Sequence, residues 1–122
     1  MKKIAIIGAG AVGATLAYYL SKEKDIQVTV FDYGVGQATK AAAGIISPWF
    51  SKRRNKSWYR MARLGADFYS NLVTDLQKDG FEIKFYQQTG VFLLKKEESQ
   101  LESLFALADK RRLESPLIGD LQ

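Results

Sequence analysis

A chain of 122 residues has room for one domain, and its 47% hydrophobic content, with seven Phe, six Tyr and two Trp, is enough to build a core. With no Cys and no His, it excludes a disulfide framework, a thiol nucleophile, most zinc sites, a Ser-His-Asp arrangement and a histidine base within these residues. The net charge is +5, and much of the excess gathers in Lys52, Arg53, Arg54, Lys56, Arg60 and Arg63; such a stretch reads first as a solvated loop and helix start, with binding to nucleic acid as the rival.

The first element predicted is a strand over residues 3–7, Lys-Ile-Ala-Ile-Ile. Its apolar residues do not alternate, the pattern of a strand buried in the middle of a parallel sheet. From Ala11 to about Lys22, Val12, Leu16 and Leu20 fall four apart beside Ala17 and Tyr19, which predicts a helix with one packed face. The run from Ile4 to Leu20 follows two lysines and could pass for a signal peptide, but its glycines have a better explanation given below. No stretch matches the ~18–20 residues of a membrane span, and a cytoplasmic location is the default expectation. Gln27 to Phe31 predicts a second strand, ending at Asp32. Strand, glycine turn, helix and strand within about 30 residues make a right-handed βαβ unit, so the fold class expected is α/β.

Residues 33–48, rich in Gly and Ala and ending in Ser47-Pro48, read as a long loop. Helical spacing returns from Asn55 to Lys78 through Trp58, Ala62, Gly65, Phe68, Leu72 and Leu76, with Asn55 as N-cap and Asp79-Gly80 as the stop. Phe81, Ile83 and Phe85 alternate with polar neighbours up to Tyr86 and predict a half-exposed strand, and Val91 to Leu94 predicts another. Ser99 and Glu102 have the spacing of a capping box for a last helix running to about Leu113, before Ser115-Pro116.

The chemistry lies in Gly8-Ala9-Gly10-Ala11-Val12-Gly13, between the first strand and the first helix. Gly8 lets the chain turn off the strand, Gly10 lets a pyrophosphate approach the backbone, and Gly13 lets the helix pack on the sheet. The helix start presents unpaired N–H groups and partial positive charge to phosphates. Asp32, 24 residues beyond Gly8, sits where a carboxylate accepts both ribose hydroxyls of an adenosine and repels the 2′-phosphate of NADP. A glycine motif of this kind is weak evidence alone and stronger in this strand-turn-helix-strand-acid context. It leaves NAD and FAD both open.

The stretch Gly36-Gln-Ala-Thr-Lys-Ala-Ala-Ala-Gly-Ile-Ile-Ser-Pro48 closely resembles the loop after the second strand in the D-amino-acid oxidase family of FAD-dependent oxidoreductases, to which glycine oxidase and sarcosine oxidase belong. The long helix, the strand at Phe81–Tyr86 and Thr89-Gly-Val-Phe-Leu-Leu94 continue that resemblance as a pattern. It implies a Rossmann-like FAD-binding βαβ unit over residues 1–50 and, over residues 51–122, a helix-strand-strand-helix segment opening an α+β substrate domain. It also implies site residues. Gly8, Gly10, Ala11, Val12 and Gly13 would line the pyrophosphate, and Asp32 and Tyr33 would meet the ribose. Ala38 and Thr39 would lie along the phosphates, and Ala43, Gly44 and Ile45 against the ribityl chain and flavin. The chain departs from the family's pattern in carrying Asp32 where most relatives have Glu, and Lys40 where Ser is frequent.

The expected function is therefore the FAD-binding amino-terminal part of an enzyme that oxidises an amino acid or secondary amine by hydride transfer to flavin. The rival readings are the amino-terminal domain of an NAD-dependent dehydrogenase and a non-enzymatic nucleic-acid module. Family members are roughly three times as long, so catalytic residues are expected beyond residue 122, and this piece alone is expected to be inactive. The expected partner is a small amine or amino acid, with no nucleic acid, no metal and no membrane span. Two strands leave two unpaired sheet edges, which predicts either a truncated product or self-association by strand pairing.

Overall fold

A computed structural model describes every residue from Met1 to Gln122. Its contacts fall into two units, Met1–Ile45 and Ile46–Gln122.

In the first unit, β1 (Lys2–Ile7), α1 (Ala11–Ser21) and β2 (Ile26–Phe31) follow one another. The strands pair in parallel, in a register running from Lys2 opposite Ile26 to Ile7 opposite Phe31, and α1 packs against both. This is the βαβ arrangement of an α/β fold, because parallel neighbours need a crossover and α1 supplies it. The position of β1 corrects the expectation of a buried central strand. The sheet has two strands, only Ile6 of β1 is buried, and Ile7 at its end is 82% exposed. The apolar run is that of a covered strand, but a two-stranded sheet lacks the neighbour that would cover it. The same shortage leaves α1 without a fully buried residue.

The expected loop over residues 33–48 contains a single helical turn, α2 (Ala38–Ala41), and ends in a 3-10 turn, Pro48–Phe50. Four small or flexible residues, Ala-Thr-Lys-Ala, suffice for one turn, and Gly44 beyond it adopts φ +70°.

The second unit is helical. α3 spans Lys56–Lys78, and Asn55 caps it by accepting the Trp58 N–H at 2.9 Å. At the other end Gly80 adopts φ +86°, and the Phe81 and Gly80 amides bond the carbonyls of Leu76 and Gln77 at 3.0 Å each. This is the closure a glycine just past a helix end allows. α4 (Glu98–Arg112) begins earlier than the capping box implied. Glu97 is its N-cap, without a side-chain cap bond, and Ser99 lies inside the first turn. The Ser99–Glu102 spacing is correct for a box, but the backbone turns helical two residues before the box requires.

The two strands expected at Phe81–Tyr86 and Val91–Leu94 are not formed; neither segment is in a sheet. Alternation records a half-buried extended segment, but a strand also needs a partner edge for its N–H and C=O groups. The Phe81–Tyr86 segment is held by side chains, with the Tyr86 ring stacked on Tyr69 of α3 at 5.6 Å between centroids. The buried residues of the unit are Ala66, Leu72, Leu104, Ala108 and Ser115. Ser115 donates to Asp67 Oδ1 at 2.6 Å, and Arg63 donates to Asp67 Oδ2 at 2.8 Å. The 3-10 turn packs on both α3 and α4, and Arg111 ties it down by donating to the carbonyls of Trp49 and Ser51. No helix is long and apolar enough to cross a membrane.

Candidate functional site

Three residues, Gly8, Ala9 and Gly10, carry the chain from β1 into α1. Gly8 adopts φ +95°, in the left-handed region where a Cβ is strained, so the sharp turn off the strand needs glycine. Its N–H donates to the Phe31 carbonyl at 2.7 Å, pinning the turn to the end of β2. Gly13 meets the same turn from the helix side. A Cβ there would overlap the Gly8 carbonyl oxygen and stand 3.3 Å from Ile6 Cγ2. Gly10 is the N-cap of α1, with φ −69° and ψ −176°, and its carbonyl accepts the Ala14 N–H at 2.9 Å. The amides of Ala11, Val12 and Gly13 precede the first intrahelical bond and have no partner inside the helix.

Two side chains bond the turn and the helix start. Asp32 follows β2 directly and accepts the Ala9 N–H on Oδ2 at 2.6 Å and the Gly34 N–H on Oδ1 at 2.7 Å. The Ala9 bond, then the Gly34 bond, hold its carboxyl below the usual carboxylate range against desolvation, with smaller help from Gln37 and the charge of Lys40. Asp32 is therefore ionised near neutral pH. The two backbone bonds use one acceptor site on each oxygen; a carboxylate has about four, and the side chain is exposed. Thr39 of α2 is the second, its Oγ1 accepting the Ala11 N–H at 3.0 Å.

Gly8, Gly10, Ala11, Gly13, Asp32 and Thr39 thus come together in one cluster at the carboxyl ends of the two strands. Val12 lies on the first turn of α1 and is 84% exposed, and Tyr33 beside Asp32 is 91% exposed. Ala38 opens α2, its N–H bonded to the Gly36 carbonyl at 2.9 Å. Ala43, Gly44 and Ile45 make none of the cluster's hydrogen bonds; Ile45 is 77% exposed, and a Cβ on Gly44 would meet open space. Sequence reasoning missed Ala9, Gly34 and Gln37. The signal for Gly34 was present, because Asp-x-Gly is the spacing at which an aspartate oxygen accepts the amide two residues on.

The chemistry of this donor set suits a dinucleotide. Unpaired amides at a helix start, with no acidic residue in the first turn of α1, favour a pyrophosphate. A Cβ on Gly10 would stand only 3.3 Å from Thr39 Oγ1, so glycine keeps the approach to those amides open. The ionised Asp32, with acceptor sites to spare, is suited to a ribose diol.

Comparison with known proteins gives the family. Residues 3–119 match the family described as FAD dependent oxidoreductase, DAO. The chain is similar to an uncharacterized oxidoreductase of Bacillus subtilis (strain 168), YurR, with 44% identity over 122 residues covering 99% of this chain. It spans 32% of that relative's length. No solved structure matches it. With its glycine turn, helix start and strand-end acid held in one cluster, and with nearly its whole length matching the profile, the chain belongs to the DAO family of FAD-dependent oxidoreductases.

Proposed function

We propose that the chain supplies the adenosine-diphosphate half of the FAD site in an oxidoreductase acting on an amino acid or a secondary amine, in the manner of glycine oxidase or sarcosine oxidase. The observation that carries this reading is the exposed, ionised Asp32 fastened to the Ala9 and Gly34 amides, beside the Val12 and Gly13 N–H groups that have no partner inside α1. In this reading Gly8, Gly10, Ala11, Val12 and Gly13 receive the pyrophosphate. Asp32 and Tyr33 receive the adenosine ribose, Ala38 and Thr39 flank the phosphates, and Ala43, Gly44 and Ile45 lie along the ribityl chain and flavin. When bound, FAD supplies the acceptor for the two electrons leaving the amine. The chain's own part is to bind and orient. Residues 51–122 open the substrate domain, and the groups that hold the substrate are assigned to none of these 122 residues.

The test is to add FAD and NAD separately to the full chain and follow the melting temperature and the flavin absorbance retained after gel filtration. FAD is expected to raise the melting temperature and remain bound, because a ligand that binds only the folded state stabilises it by mass action. Stabilisation by NAD and not by FAD would sink the proposal. In a preparation that retains flavin, anaerobic mixing with glycine, sarcosine or a D-amino acid is expected to bleach the flavin band where the substrate domain is complete, and a band unchanged by every amine tried there would refute the substrate class while leaving the cofactor intact.

A further inference from the structure

The second unit holds a cavity of 580 Å³ between α3 and α4, built around cations. Its walls carry Arg53, Lys56, Arg60, Arg63, Lys110 and Arg111, with Glu114 as the one carboxylate. Six of the chain's 18 basic residues and one of its 13 acids thus face one space; elsewhere the charges balance, so the whole net charge of +5 resides here.

Two of the six cations have structural duties. Arg63 bonds Asp67 and the Glu114 carbonyl, at 2.8 and 2.9 Å. Arg111 bonds the carbonyls of Trp49 and Ser51 and lies 3.8 Å over the Tyr59 ring. These contacts hold their guanidinium groups in place and leave their charges in the wall. Arg53 rests on Trp58 at 4.6 Å. Lys56, Arg60 and Lys110 form no ion pair or hydrogen bond.

The placement is electrostatically costly for a merely solvated surface. Lys56, Arg60 and Arg63 stand at i, i+4 and i+7 on one face of α3, where like charges destabilise a helix. Lys56 is also the first residue of α3, at the end of the helix dipole that favours acids. Asp67, paired with Arg63, and Glu114 offset part of that repulsion, and Lys56, Arg60 and Lys110 are left without a counter-charge. The cavity floor includes Leu107 and Tyr59, and the Tyr59 hydroxyl is buried without a hydrogen-bond partner. Burial raises its pKa although Arg111 opposes the shift, so it stays a neutral hydroxyl.

We propose that this cavity binds a compact small molecule bearing two or more phosphate groups. Its volume lies in the ~300–1,000 Å³ range of small-molecule sites. Phosphates, at about −1.5 to −2 each, bring enough charge into that volume to balance an excess of five, whereas an amine or a single carboxylate does not. Arginine forks also match phosphate oxygens two at a time. Nucleic acid fits less well, because single strands are held by bases stacked on open aromatic faces, and here Trp58 and Tyr59 each already carry a guanidinium.

The test is calorimetric titration of the full chain with inorganic tripolyphosphate, with FAD present in excess so that the glycine turn does not compete as a phosphate site. One equivalent is expected to bind saturably. The double variant Arg60→Ala/Lys110→Ala, both exposed positions, is expected to weaken binding at least tenfold with unchanged helix content by circular dichroism. Arg112→Ala removes a cation from the same helix outside the cavity and is expected to leave affinity within twofold. No binding at millimolar tripolyphosphate overturns the proposal, as does equal weakening by Arg112→Ala. So does tight binding of a single-stranded RNA oligonucleotide that tripolyphosphate cannot displace, which would mark the face as a nucleic-acid surface. Should the double variant lose helix content, Lys110→Ala alone gives the same comparison.

Discussion

At Gly13 a single missing atom decides whether α1 can lie on β1. The position is helical with an ordinary backbone conformation, so alanine would be welcome there on propensity alone. The obstacle is the Gly8 carbonyl oxygen, which a Cβ would overlap. That oxygen belongs to the turn pinned to Phe31 and cannot yield without moving the turn. Gly13→Ala is therefore expected to cost about 1–3 kcal/mol, the usual range for overpacking, seen as a lower midpoint in urea with weaker FAD binding. A variant as stable as the parent would show that the turn is free to shift. Asp32 makes the second argument at this scale. Its carboxyl titrates below the usual range because the Ala9 and Gly34 amides bond its charged form. A depressed folded-state pKa adds stability that is complete above the unfolded value, about 3.9, and is lost as pH falls through the lower folded value. The turn is thus expected to hold from neutral pH down to about 4 and to loosen below it. Asp32→Asn is expected to remove that acid-side dependence in a carboxyl-resolved NMR titration and to weaken FAD at least tenfold at pH 7. A variant with an unchanged acid limb would remove Asp32 from the account.

Among the elements, α3 shows how a helix is bounded by chemistry at both ends. Asn55 satisfies the Trp58 amide, and Gly80 closes the other terminus at a positive φ that L side chains rarely adopt. Asn55→Ala is expected to cost ~1 kcal/mol and Gly80→Ala a similar ~1–2 kcal/mol, each read as a lower thermal midpoint of the helical signal; an unaffected midpoint in either variant would mean that its terminus frays in the parent. Both bounds were legible in the amino-acid sequence, since Asn before an apolar stripe and Gly after it act through bonds only a few residues long. So was the glycine turn with Asp32, where each residue type has a local geometric reason. What could not be read was whatever depends on a neighbour. The alternation of Phe81, Ile83 and Phe85 says that one side is apolar, and in the structure Tyr86 of that segment meets Tyr69 of α3 rather than another strand. The apolar run of β1 likewise promises cover on both faces, which needs more strands than two. The Ser99–Glu102 pair fails for a smaller reason, because α4 starts at Glu98 and leaves Ser99 within the helix. The cavity between α3 and α4 was half visible. Lys56, Arg60 and Arg63 stood out as a basic stretch, but Lys110 and Arg111 join them only through the fold.

For the whole molecule, the main question is what its two-stranded sheet does with its edges. β1 and β2 pair only with each other, so each keeps one row of N–H and C=O groups without a strand beside it. Ile7, Val30 and Phe31 are exposed along with them. An open edge next to exposed apolar side chains is a template for another strand, and a sheet of two strands is marginal by itself. The 122-residue chain is therefore expected to self-associate through this sheet, with a weight-average mass in sedimentation equilibrium that rises with concentration. Charge on an exposed strand position opposes such pairing. Phe31→Lys, at the end of β2 where the side chain is exposed, is expected to shift the chain toward monomer while leaving the helical circular dichroism of α3 and α4 intact. FAD held at the adjoining turn, as proposed, would not pair with the sheet edges, so it is expected to raise the melting temperature and leave the association in place. A chain that stays monomeric at every concentration, or one whose association is indifferent to Phe31→Lys, would place the contact elsewhere. The exposed apolar residues of α1, Val12 and Leu16, would then be the surface to substitute next, because they are the other apolar face that this unit leaves open.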